Sequence, residues 1–241
     1  MKLVVGNQKS YLTKDAVIDF IEKTNCVDCC NTIICPSFPF IDLFIEKSNY
    51  IVGAQNVSNK GLGASTGEIS AEQLSGLNVQ YCIVGHSERR QNQNEDSSLL
   101  LEKINKLLES DIRPILCIGE KLDEKQNNIT KDVVGKQLMD IYSNLTIEQL
   151  SKIIIAYEPV WAIGSGLTPT NLEIEDTINY IKDLIKDKYD FDTLVLYGGS
   201  VSKKNIDELN NIDSVDGYLI GGSSTKCDEF LYIMSQCNNI R

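Results

Sequence analysis

The stretch KIIIAYEPVWAIGSG, residues 152–166, carries the reading from which the fold follows. Its first half, from Lys152 to Tyr157, is a short run of branched apolar residues of the kind buried on both faces of a parallel sheet. The run stops at Glu158, where buried backbone gives way to a loop. Partial desolvation at such a mouth raises the proton affinity of a carboxylate and makes it a better base at neutral pH. Taken alone, a Glu at a strand end reads first as a solvated or helix-capping residue. The flanking residues shift that reading. Pro159 and Pro169 stiffen the two ends of the following segment, while Gly164 and Gly166 permit backbone conformations closed to other residues. Trp161, the only tryptophan, and Ile163 need an apolar surface to rest on. The segment reads as a base with its own lid.

Outward from this strand, similar apolar runs fall at residues 3–5, 32–35, 50–52, 81–84, 114–118, 194–197 and 218–220, which with 153–157 makes eight candidate strands. Segments of helical period lie between several of them. Leu100, Ile104, Leu107 and Leu108 share one face, as do Ile174, Ile178, Ile181 and Ile185. Thr170 and Glu173 form a capping box just after Pro169, a start signal for the second of these helices. Strand alternating with helix demands a parallel sheet, and eight repeats in 241 residues favour a closed (β/α)8 barrel over an open doubly wound sheet. Linkers, internal repeats and low-complexity blocks are absent from the sequence, so one domain is expected over residues 1–241.

In either parallel architecture ligands bind at the carboxyl ends of the strands. After the first run stand Asn7 and Lys9, in GNQK. After the fourth comes VGHSERR, whose His86 is the only histidine. A helix is expected to start at once after His86, and the partial positive charge of its N-terminus is expected to keep the imidazole neutral. The seventh run ends in YGGS, with Ser200, and the eighth in IGGSS, with Gly221 and Gly222. Two glycine pairs after the last two strands match the place where barrels hold a phosphate with loop amides. Neither a Gly-x-Gly-x-x-Gly fingerprint nor a Walker loop occurs, so a phosphate held here belongs to the substrate.

The formal charge of −11 argues against nucleic acid or an anionic membrane as partner. The N-terminal residues lack a signal-peptide core and no apolar run reaches membrane-spanning length, which leads us to expect a cytoplasmic protein. The eight cysteines are then expected as thiols. Cys26, Cys29, Cys30 and Cys35 cluster in sequence, but Cys35 closes an apolar run and no second pair or nearby His completes a zinc site, so no metal is expected. Cys82 and Cys117, inside strand-like runs, read as small core residues.

As a set, GNQK, VGHSERR, CIGE (117–120), AYEPVWAIGSG, YGGSV and IGGSS closely resemble the triosephosphate isomerase family, in order and over nearly the whole chain. The resemblance implies interconversion of dihydroxyacetone phosphate and glyceraldehyde 3-phosphate in glycolysis and gluconeogenesis, without metal or organic cofactor. It implies Glu158 as the base at carbon, neutral His86 as hydrogen-bond donor to the carbonyl and proton shuttle, and Lys9 as a positive charge near developing negative charge. It makes Asn7 a polar contact and Glu95 the acidic residue near the lysine, and it assigns the phosphate grip to Gly164, Ser200, Gly221 and Gly222. It also implies a homodimer through the stretch QNVSNKGLGASTGEIS, from Gln55 to Ser70, whose Thr66, Gly67 and Glu68 reach a partner subunit. The chain departs from the family's habit at Gln8, Ser10 and Tyr11 around the lysine, at Ser165 and Leu167 in the lid, and at Ser223. An isomerase of another phosphosugar, or a non-catalytic phosphate-binding paralogue, is the alternative. Retention of Lys9, His86 and Glu158 together counts against the paralogue, because a binder needs no base aimed at carbon.

Overall fold

The computed structural model describes residues 1–25, 31–163 and 167–238. Eight parallel strands close into a barrel in sequence order, β1 (Leu3–Asn7), β2 (Thr32–Cys35), β3 (Ile51–Ala54), β4 (Tyr81–Val84), β5 (Arg113–Ile118), β6 (Ile154–Tyr157), β7 (Val195–Tyr197) and β8 (Gly217–Ile220). Closure is made by β8 against β1, with Leu219 level with Val5. The (β/α)8 expectation is met, and every candidate run overlaps a strand. Boundaries differ most at β3, which extends through Gly53 and Ala54, residues without a branched side chain to announce a strand. The bare α-carbon of Gly53 has a structural reason, since a β-carbon there would meet the Cys35 sulfur at 2.6 Å.

Alternation along each strand divides the apolar residues into two cores. Val5, Ile33, Cys35, Ile83, Ile115, Cys117, Ile154, Ala156, Leu196 and Leu219 pack together in the barrel interior. Their neighbours, among them Val4, Ile34, Cys82, Leu116 and Ile155, belong to the larger core shared with the helices. Each fully buried Leu or Ile contributes roughly 1.5–3 kcal/mol. Helix Ser97–Glu109 supplies Leu100, Ile104 and Leu107 to the outer core, with Leu108 partly buried at its edge. Helix Asn171–Tyr189 supplies Ile174, Ile178, Ile181 and Ile185, and its N-terminus carries the Thr170 and Glu173 capping box expected from the sequence.

Cys35, Cys82 and Cys117 are buried thiols whose ionisation burial strongly opposes. Cys26, Cys29 and Cys30 lie outside the described residues. Among the described residues no helix is long and apolar enough to cross a membrane. Because all eight strands run the same way, Asn7, the turn after Val84, Glu158 and both glycine loops emerge at one end of the barrel.

Candidate active site

Each strand end is set by a local device. Glu158 follows β6 directly; its backbone N–H donates to the Ile118 carbonyl at 2.8 Å, and its carbonyl lies so close to Gly119 that a β-carbon there would overlap it. Gly198, at the end of β7, leaves the space that the Glu158 side chain occupies: a β-carbon would sit 2.9 Å from Glu158 Cγ. After β4, Gly85 turns the chain at φ +71°, and His86 becomes the N-cap of the helix Ser87–Asn92. Lys9 also lies in the left-handed region, at φ +47°. Its strained backbone is held by Ser37 and Gln55, whose side chains both donate to the Lys9 carbonyl, and by Asn7 Oδ1, which accepts from Lys9 N–H at 3.1 Å.

These devices bring Glu158, His86, Lys9 and Asn7 to the wall of one cavity of about 350 Å³. Ser200, Gly221, Gly222 and Ser223 line the same cavity, so two separate glycine loops share its wall with the acid–base groups, Gly221 close to Lys9 and Gly198 close to Glu158. Ser223 ties the loops together by donating to the Val201 carbonyl at 2.8 Å. Ser200 donates to the Ala162 carbonyl at 3.1 Å, linking the β7 loop to the start of the lid. The lid root is anchored at buried Glu120, which accepts from the Trp161 indole at 2.7 Å and from the Tyr157 hydroxyl at 3.2 Å. Ile163 lines the cavity, and Leu167 is exposed. Gly164, assigned to the phosphate grip from the sequence, and Ser165 lie outside the described residues.

Glu158 is only 2% exposed. One oxygen lies 3.0 Å from His86 Nε2, and the other accepts from the Ser87 N–H at 3.0 Å. The sequence led us to expect raised proton affinity. Burial does push in that direction, but His86, the Ser87 N–H and the Lys9 charge outweigh it and hold the carboxyl below its ordinary value. For His86 the sequence led us to expect a helix N-terminus that disfavours protonation, and the direction is again the opposite. Burial opposes its protonation, yet the Glu158 carboxylate beside it outweighs burial and draws the imidazole above its ordinary value. The helix N-terminus acts here through a specific bond, since His86 Nδ1 accepts from Glu88 N–H at 3.3 Å. A lone pair at Nδ1 places the proton of the neutral ring on Nε2, the atom facing Glu158 and the cavity.

One assignment needs correction. Glu95 is not beside the lysine; it is buried, accepting from Arg89 at 2.7 Å and from Lys103 at 2.5 Å. The carboxylate at Lys9 Nζ is that of Glu88, at 2.5 Å. The short helix separates the two residues: Glu88 sits in its first turn next to His86, whereas Glu95 comes after its end and joins a charged cluster with helix Ser97–Glu109. The available signal was the position of Glu88, two residues from His86 in VGHSERR.

A parallel barrel that gathers a carboxylate, an imidazole and an ammonium with two glycine loops on one cavity is an enzyme scaffold for acid–base chemistry on a small phosphorylated substrate. The family model described as triosephosphate isomerase matches residues 2–237. A triosephosphate isomerase of Clostridium tetani is 39% identical, with 97% of this chain and 95% of the relative covered. Those of Alkaliphilus oremlandii and Mycoplasmopsis pulmonis are each 38% identical, covering 97% of this chain and 98% and 96% of the relatives. The chain belongs to the triosephosphate isomerase family.

The single histidine makes the Glu158 and His86 pairing directly measurable. By NMR, the imidazole of the ligand-free protein is expected to titrate above the ordinary value of about 6.5. Glu158→Gln removes the main influence favouring protonation while burial and Lys9 remain, so the midpoint should fall below that value. An unchanged midpoint in the variant would show that the pair is not formed.

Proposed function

We propose that this chain, working as one barrel domain over residues 1–241, interconverts dihydroxyacetone phosphate and D-glyceraldehyde 3-phosphate by acid–base chemistry centred on Glu158 and His86. The observation that carries the mechanism is the buried contact of 3.0 Å between these two side chains, in the wall of a cavity that the glycine loops also line. A role in glycolysis and gluconeogenesis follows from the family.

A substrate carbonyl entering the cavity competes with Glu158 for the Nε2–H of His86. Displaced from His86 and Ser87, the carboxylate loses the partners that hold its pKa down but stays out of water, so its basicity rises when substrate is present. It takes the proton from the carbon next to the carbonyl. The electron pair moves into the new carbon–carbon double bond, and negative charge develops on the carbonyl oxygen. His86 Nε2–H and the Lys9 ammonium face that charge, and Asn7 adds a polar contact. His86 then moves a proton between the two oxygens of the enediolate, and Glu158 returns its proton to the neighbouring carbon. Every step uses side chains and substrate atoms alone. Glu88 orients Lys9 by its ion pair and His86 by its backbone N–H.

The phosphate is assigned to Ser200, Gly221 and Gly222, where backbone N–H groups can approach an anion closely. Its distance from the reacting carbons lets its binding energy close the lid. Exclusion of water while the phosphate is held protects the enediolate from eliminating it.

We also assign a homodimer interface to residues 55–70. The segment leaves the barrel at Gln55, which is bonded to the Lys9 carbonyl at 2.8 Å, and carries Leu62, 70% exposed, and the exposed Thr66, Gly67 and Glu68. The assignment follows the family's use of this stretch, and Leu62 gives it an apolar group that a second subunit would cover.

Glu158→Asp keeps the charge but withdraws the carboxylate by one methylene, and a coupled assay should find turnover reduced about a hundredfold or more with KM changed little. Turnover equal to that of the unaltered enzyme would remove Glu158 from the mechanism. In sedimentation experiments the protein should run as a dimer that dissociates on dilution, more readily in Leu62→Asp. A fully active monomer would contradict the assigned interface.

A further inference from the structure

The segments following the two glycine loops carry lysines outside the catalytic set. Lys203 and Lys204 come three residues and more after Ser200, and Lys226 comes directly after the single-turn helix Gly222–Thr225. With Lys23 they line a second cavity, of about 490 Å³. The two cavities share Lys226 and meet again at the peptide bond from Ser202, in the wall of the first, to Lys203, in the wall of the second. Asp228 and Glu229 also line the second cavity. Lys226 engages Glu229 at 3.2 Å, and Lys23 engages Asp19 at 2.8 Å. Lys203 and Lys204 are exposed and form no ion pair among the described residues.

This local excess of ammonium groups sits on a chain of formal charge −11, whose average field repels a phosphate dianion. A substrate of that charge therefore reaches the catalytic cavity most readily along a path of reversed sign. We infer that the cleft of Lys23, Lys203, Lys204 and Lys226 is an antechamber for the substrate's phosphate monoester, collecting the dianion and passing it by way of Lys226 to the Gly221 and Gly222 loop. The inference rests on the isomerase reading. It assigns Lys203 and Lys204 to the rate of association and gives them no part in the chemical step. Because solvent ions screen such attraction over about 8 Å at 0.15 M salt but only over about 30 Å at 0.01 M, the effect belongs to low ionic strength.

The test compares kcat and kcat/KM for glyceraldehyde 3-phosphate at about 0.01 M and about 0.3 M salt. The double variants are Lys203→Gln with Lys204→Gln, and Lys203→Glu with Lys204→Glu. At low salt kcat/KM should fall about threefold in the neutral variant and about tenfold in the reversed one, with kcat unchanged and the deficit gone at high salt. Native kcat/KM at low salt, a deficit equal at both salts, or a fall in kcat would each overturn the inference. Failure of the isomerase reading would look different, as absence of turnover in the unaltered protein.

Discussion

The structure depends on how tightly the end of β6 is packed between its neighbours. The Glu158 N–H is bonded to β5, its carbonyl leaves no room for a side chain at Gly119, and its own side chain fills the space left open by Gly198. The carboxylate therefore emerges at a fixed point with little choice of direction, and a shift of about 1 Å in such a group is enough to cost about two orders of magnitude in rate. Lys9 is fixed in a comparable way: a strained backbone at φ +47° is over-determined by Ser37, Gln55 and Asn7. Rigid strand ends, with chemistry placed on their first free residues, are what the closed parallel barrel supplies.

The electrostatics of the cavity run against those of the whole molecule. In the proposed site a chain carrying −11 accommodates an anionic substrate through Lys9, His86 and loop amides, which low dielectric would strengthen. In the ligand-free cavity the acid–base pair satisfies itself, with Glu158 lowered and His86 raised by mutual contact. In the proposed mechanism substrate entry would reverse both shifts, by separating the pair without hydrating it. Under that proposal, basicity at carbon is coupled to occupancy of the site.

Much of this was readable from sequence because the information is local. Branched apolar runs mark strands buried on both faces, and the residue after each run is the one a barrel presents to ligand, which is how Glu158, His86 and the glycine loops stood out. What was missed depends on contacts across the fold. The extension of β3 through Gly53 and Ala54 reflects the fit of Cys35 from the adjoining strand. The choice of Glu88 over Glu95 as partner of Lys9 turns on which side of a six-residue helix each carboxylate falls. The sign of the Glu158 shift could not be read either, because local context shows burial, whereas the opposing partners come from β4 and β1.

The central claim, that hydrogen moves between the two carbons as a proton carried by Glu158, is tested most directly by running the isomerisation of dihydroxyacetone phosphate in D2O. The account predicts glyceraldehyde 3-phosphate carrying solvent deuterium at the carbon next to the aldehyde, with both deuterium entry and turnover collapsing in Glu158→Gln. A Glu158→Gln protein that still exchanged deuterium into product and turned over normally would place the base elsewhere and contradict the account.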